Sequence, residues 1–150
     1  FNGDGHVDLV TANLGTSTIS VILGNGDGSF RKDTLLDGGK NCAFLAVGDL
    51  DADGDCDFVV THWTEDFMSA FLNKGDGSFS PRRDCKTDLG NYGVTLCDVD
   101  RDGKLDAVTA NYRARSISVL KGVGDGTFQP AVTTPKGLRL RDGKWEPENM

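Results

Sequence analysis

The chain contains no apolar run near the roughly 18 residues that a membrane-spanning helix needs, and no stretch with sustained helical periodicity. It has two histidines, His6 and His62, and no serine or cysteine in a recognisable nucleophile motif. That leaves little for acid–base or nucleophilic chemistry, and a non-catalytic protein is expected. The four cysteines, Cys42, Cys56, Cys85 and Cys97, show no C-x-x-C spacing, which speaks against zinc. A basic stripe with interleaved aromatics is missing as well, so nucleic acid is not an expected partner. The start carries no signal-peptide pattern, and the segment is expected to be soluble without a visible targeting signal. Its first residue falls inside a loop motif, which suggests a truncated chain.

What is abundant is aspartate. Of 23 acidic side chains, eleven lie in three short stretches. Asp49-Leu50-Asp51-Ala52-Asp53-Gly54-Asp55-Cys56-Asp57 places side-chain oxygens at positions 1, 3, 5 and 9 around a glycine. Asp98-Val99-Asp100-Arg101-Asp102-Gly103-Lys104-Leu105-Asp106 repeats the pattern, and Phe1 to Asp8 repeats it without its first residue. Calcium takes six to eight oxygens at about 2.3–2.6 Å, and such a loop delivers them from alternate residues plus one backbone carbonyl. The expected ligands are Asp49, Asp51, Asp53 and Asp57 with the carbonyl of Asp55; Asp98, Asp100, Asp102 and Asp106 with that of Lys104; and Asn2, Asp4 and Asp8 with that of His6. Three calcium ions would bring the formal charge from −7 to −1, so the acidity reads as ligand charge. A single Asp-Gly marks a hairpin turn as readily as a metal site; three copies at fixed spacing favour the metal.

An EF-hand would need a bidentate glutamate at position 12 and a helix after the loop. Position 12 is Thr11, Val60 or Thr109, and runs rich in β-branched residues follow, so each loop joins two strands. A second landmark, Gly26-Asp27-Gly28-Ser29-Phe30, recurs at Gly75 and Gly124, and both landmarks obey a period of 49 residues. A fixed period of this size marks a repeat architecture. Within one period the alternation predicts four strands, Ala43 to Leu50, Phe58 to Trp63, Met68 to Asn73 and Phe79 to about Lys86. The expected fold is therefore all-β, built of four-stranded antiparallel propeller blades. About three blades are present over 1–132, a partial one at 1–36 lacking its innermost strand and complete ones at 37–86 and 87–132. Residues 133–150 form a tail.

The paired signatures Gly48 to Gly54 and Gly24 to Phe30 resemble the FG-GAP/VCBS repeats of bacterial surface proteins, distantly similar to the blades of the integrin α-subunit propeller. The resemblance covers residues 1 to about 132. It implies a propeller of about seven blades, calcium in the loop between the first two strands of a blade, an extracellular or cell-surface setting, and a role in adhesion or ligand binding. The literal Phe-Gly and Gly-Ala-Pro elements are absent, which favours the microbial branch.

In such a blade the calcium loops and Gly-Asp-Gly turns share one face, and the connections between second and third strands share the other. Those connections vary most, with Leu14, Trp63 and Tyr112 at one position. Variable polar loops with aromatics on a rigid scaffold are the usual place for recognition. Trp63 and Tyr112, with Glu65, Asp66 and Arg113 beside them, are the candidates for binding a sugar or protein; packing of both rings between blades is the alternative. Cys42 with Cys85 is the preferred disulfide, against four free thiols. An accessory propeller of a larger secreted enzyme and a purely structural repeat are the competing readings of function. Finally, Gly137 to Asp142 alternates like the strand before the third loop. Set before Phe1 of a second copy, it would supply the missing strand and, through Asp142, the missing first ligand, closing a six-bladed homodimeric ring; an unstructured end is the alternative.

Overall fold

β-Branched and aromatic residues alternate between turn signals along the chain, and every regular element of the described residues is a strand. The computed structural model describes residues 1–134, 138–141 and 144–147. Strands β1 (Leu9–Asn13), β2 (Thr18–Ile22) and β3 (Thr34–Asp37) form a three-stranded antiparallel sheet. Strands β4 (Cys42–Gly48), β5 (Asp57–His62), β6 (Phe67–Phe71) and β7 (Arg83–Lys86) form a four-stranded one. Strands β8 (Asn91–Cys97), β9 (Asp106–Asn111), β10 (Ser116–Leu120) and β11 (Val132–Thr133) form the third blade. The first sheet lacks the strand equivalent to β4 and β8. In the tail, β12 (Leu138–Arg141) pairs with β13 (Lys144–Pro147) in a separate hairpin. Gly137 and Asp142, expected in the closing strand, lie outside the described residues.

The outermost strand of the second blade starts at Arg83, later than expected, because Phe79 only bridges back to Asn73 beside the turn. That turn is built alike in all three blades. Asp27, Asp76 and Asp125 accept the backbone N–H of Ser29, Ser78 and Thr127 at 2.8–2.9 Å. The glycines flanking each aspartate lie at φ between +75° and +88°, a region where a β-carbon is costly.

The blades stack side by side, and the core lies between them. Ile19, Val21, Phe58, Val60 and Phe71 pack together between the first and second blades; Val59, Met68, Ala70, Leu72, Ala107 and Leu120 pack between the second and third. On β5 the even-numbered residues Phe58 and Val60 thus face one neighbour and Val59 faces the other, so the whole strand is buried. Stacking of Phe58 on Phe71, with centroids 4.7 Å apart, contributes roughly 1 kcal/mol beyond area burial. The outer faces of the array are uncovered. Leu9 is 41% exposed where its equivalents Phe58 and Ala107 are buried, and Ile117 is 47% exposed where Ile19 and Met68 are buried.

Neighbouring blades are also joined by buried polar groups. The Asn91 side chain accepts the His62 N–H at 2.7 Å and donates to Phe67 O at 3.0 Å. At the equivalent place one blade earlier, the Cys42 thiol donates to Asn13 O and Thr18 O. All four cysteines are free, which corrects the Cys42–Cys85 pairing. Cys42 opens the first strand of its sheet and Cys85 sits in the fourth; three strand spacings of about 4.8 Å separate them, beyond disulfide reach. A second buried pair recurs in each blade. Asn13 donates to Ser20 Oγ at 2.9 Å and Asn111 to Ser118 Oγ at 2.8 Å, whereas the second blade has His62 Nε2 at 2.9 Å from Ser69 Oγ.

Burial pushes the His62 imidazole below its ordinary pKa. A depressed folded pKa adds stability that is present above about pH 6.5 and is lost as the pH falls through the folded value. His62→Asn, which copies the flanking blades, is expected to shrink the loss of melting temperature between pH 7 and pH 5; thermal scans across that range check it.

Candidate metal centres and an exposed aromatic face

The last aspartate of each acidic loop is a structural anchor. Asp57 is fully buried; its Oδ2 accepts the N–H of Leu50 and its Oδ1 that of Asn73, both at 2.8 Å. Asp106 accepts the N–H of Val99 at 2.9 Å and of Gly122 at 2.8 Å in the same way. Asp8 accepts the amino group of Phe1 at 2.5 Å and the N–H of Gly24 at 2.8 Å. Each carboxylate thus ties its loop to the end of the third strand. Burial raises the pKa of Asp57, against the two N–H donors that lower it.

The first aspartate gathers the turn of the loop. Asp49 accepts the N–H of Ala52 at 2.7 Å and of Gly54 at 3.1 Å; Asp98 accepts those of Arg101 at 2.7 Å and Gly103 at 2.9 Å. These bonds hold Ala52 at φ +63° and Arg101 at φ +65°, left-handed conformations that cost an L-residue about 1–2 kcal/mol. Asp53 and Asp102, expected as ligands, accept the N–H of Asp55 and Lys104 through Oδ1. Carboxylate oxygens of Asp49, Asp51 and Asp57 come within 4.8 Å of one another, as do those of Asp98, Asp100 and Asp106. The residues expected to lend a carbonyl cover the neighbouring turn with their side chains: a β-carbon would lie 2.5 Å from His6 at Gly26, 2.7 Å from Asp55 at Gly75 and 3.1 Å from Lys104 at Gly124. Acidic loops and Gly-Asp-Gly turns therefore share one face of the array.

The loops differ at position 3. Asp51 Oδ1 is buried without a hydrogen-bond partner, and burial followed by the charge of Asp53 raises its pKa. Among the described residues no ion pair reaches the five aspartates of this loop. Such an orphaned oxygen beside two further carboxylates suits a hard divalent cation, so the residues fit calcium. In the third loop, Lys121 Nζ lies 2.8 Å from Asp100 Oδ2, and this hydrogen bond holds the Asp100 carboxyl below its usual range. In the first loop, Asn2 donates to Asp4 Oδ2 at 2.8 Å, and His6 and Arg31 lie 3.5 and 3.7 Å from the same carboxylate.

Four aromatic rings cluster around Tyr92 on the side of the second-to-third-strand connections. Phe44 lies 4.5 Å from Tyr92, Trp63 5.5 Å from Tyr92, and Tyr112 6.2 Å from Tyr92, centroid to centroid. All four are exposed, Tyr112 to 76%. Trp63 and Tyr112 thus reach each other through Tyr92, a ring the repeat comparison passes over because Phe44 and Tyr92 stand on β4 and β8 at bulges, between Cys42 and Leu45 and between Asn91 and Gly93. The polar candidates are engaged nearby. Glu65 accepts from Thr64 Oγ1 at 3.1 Å, Asp66 pairs with Lys86, and Arg113 lies along Gly90.

Stacked four-stranded sheets with loops at two opposite ends define the class: these are blades of a β-propeller. The model of the FG-GAP-like repeat matches residues 1–60 and again 49–109, and the chain belongs to that family. Among curated proteins none matches. Of solved structures, one from work on recognition of non-reducing terminal N-acetylglucosamine by an Agrocybe aegerita lectin is similar at TM-score 0.64 and 23% identity, covering 89% of this chain and 36% of that one. The Photorhabdus luminescens Tc holotoxin pore is similar at TM-score 0.48 and 18% identity over 93% of this chain and 7% of its own. The chain therefore spans about a third of the lectin's length.

Asn2 shows what neutralising position 3 does. Asp51→Asn is expected to form the matching bond to Asp53, raising the melting temperature by a few degrees in chelator at pH 7, where a raised folded pKa otherwise costs stability. Any gain in melting temperature from millimolar calcium should shrink in this variant, which gives up one negative charge of the loop. Paired thermal scans check both signs.

Proposed function

We propose that the chain is a non-catalytic, calcium-stabilised recognition module of a β-propeller, acting outside the cell or at its surface and binding carbohydrate through its aromatic face. The observation that carries this reading is the exposed cluster of Phe44, Trp63 and Tyr112 around Tyr92. Sugar rings present apolar C–H faces that stack on aromatic side chains, while their hydroxyls need the polar groups that Glu65 and Asp66 offer at the rim. The lectin likeness supports the fold that carries such a face, and a terminal sugar is the ligand class to try first. Calcium would be held by Asp49, Asp51 and Asp57, and by Asp98, Asp100 and Asp106. It would add stability to the folded state by mass action, because the unfolded chain offers no preformed site. On a glycan array, binding is expected with the intact chain and a loss of at least fivefold, about 1 kcal/mol, in Trp63→Ala or Tyr92→Ala with melting temperature nearly kept. An array without signal in calcium would remove the carbohydrate reading.

The uncovered end faces around Leu9 and Ile117 favour association, because exposed apolar sheet faces are a liability in water. A second copy that closes a six-bladed ring is the proposed partner. Light scattering after size exclusion is expected to give the mass of two chains, and a monomer would refute closure.

A further inference from the structure

The three blades are not equal in what faces the acidic loop. The last residue before the strand-end turn is Leu23 in the first blade, Leu72 in the second and Lys121 in the third. Leu72 is buried, against Gly126 of the next blade. Lys121 instead carries its ammonium to 2.8 Å from Asp100 Oδ2. Asp100 is one of the three aspartates whose oxygens converge in the third loop. A second ammonium, that of Lys104, lies 3.8 Å from Asp102 Oδ2 in the same loop. The position equivalent to Lys104 is Asp55 in the second loop, and that loop contains no basic residue. Two loops with the same aspartates at positions 1, 3, 5 and 9 therefore differ sharply in local charge.

We propose that Lys121 is a tethered counter-cation of the third loop: it occupies the ligand Asp100, so that a divalent ion binds there only by displacing the ammonium, and the loop 49–57 is the high-affinity site. This rests on the calcium reading above. Two steps follow from elementary electrostatics. The ammonium already satisfies a carboxylate oxygen that calcium would need, and that bond must break. Once displaced, it remains on a side chain anchored at the loop and repels the incoming dication. In the second blade Leu72 can do neither, and Asp51 Oδ1 stays unpartnered. Part of the negative charge of the third loop is thereby compensated when calcium is scarce, and its filling becomes a matter of higher calcium concentration.

The test is calcium titration by calorimetry on the full chain, with Lys121→Leu and the reciprocal Leu72→Lys. The unmodified chain is expected to show one tight and one weaker site, and Lys121→Leu to tighten the weaker site roughly tenfold, as the screened repulsion at ion-pair distance implies. In an Asp51→Ala background, which removes a ligand of the loop 49–57, the remaining binding reports the third loop, and Lys121→Leu should tighten it by the same factor. Leu72→Lys should weaken the tight site; because Leu72 is buried, circular dichroism must first show that this variant is folded, and the Lys121→Leu result stands without it. Calcium binding to the loop 49–57 with the third loop unchanged by Lys121→Leu would overturn the role of Lys121 alone. Absence of calcium binding in both the unmodified chain and Lys121→Leu would overturn the calcium reading and this inference with it.

Discussion

Each blade depends on one buried carboxylate. Asp8, Asp57 and Asp106 each accept a donor from the start of the acidic loop and a backbone N–H sixteen residues further on. An ionised carboxylate accepting two such bonds can stay buried where a lone one could not. Because these bonds join the two ends of a hairpin pair, they set where the Gly-Asp-Gly turn sits relative to the loop. The remaining aspartates of the loop then converge on one face.

The two faces of the array do different work for a simple steric reason. At the acidic end, tight turns with left-handed residues bring backbone N–H groups onto aspartates, leaving small, charged, rigid loops. At the opposite end, Asn91 and Cys42 tie the start of one blade to the hairpin of the preceding blade. That stitching is satisfied by backbone and short polar groups, so the larger aromatics of the connections and of β4 and β8 are left to point outward. A rigid surface with exposed rings loses little entropy on binding, which is what a recognition face requires.

Repetition at a period of 49 makes differences between blades informative. Asn2, Asp51 and Asp100 occupy one place, yet the first is an amide bonded to Asp4, the second has an orphaned oxygen and the third meets an ammonium. His62 stands where the neighbours have asparagine and makes the same bond to a serine, carrying a titratable ring into the core. Small substitutions in equivalent frames thus change charge balance and pH response while the fold stays the same.

Sequence alone determined the blade: a period of 49, four strands, two landmark turns and the acidic loops are local signals, because turn glycines and period-two alternation act over a few residues. It also marked Trp63 and Tyr112 as candidates. What only tertiary structure decided lies across strands and blades. The Cys42–Cys85 bridge fails because these residues stand on opposite edges of one sheet, a distance that spacing in the chain does not encode. Tyr92 joins Trp63 to Tyr112 because two bulges shift the inner strands, and bulges leave no periodic trace. Lys121 reaches Asp100 over twenty-one residues, since side-chain partners are chosen by proximity after the sheets have packed.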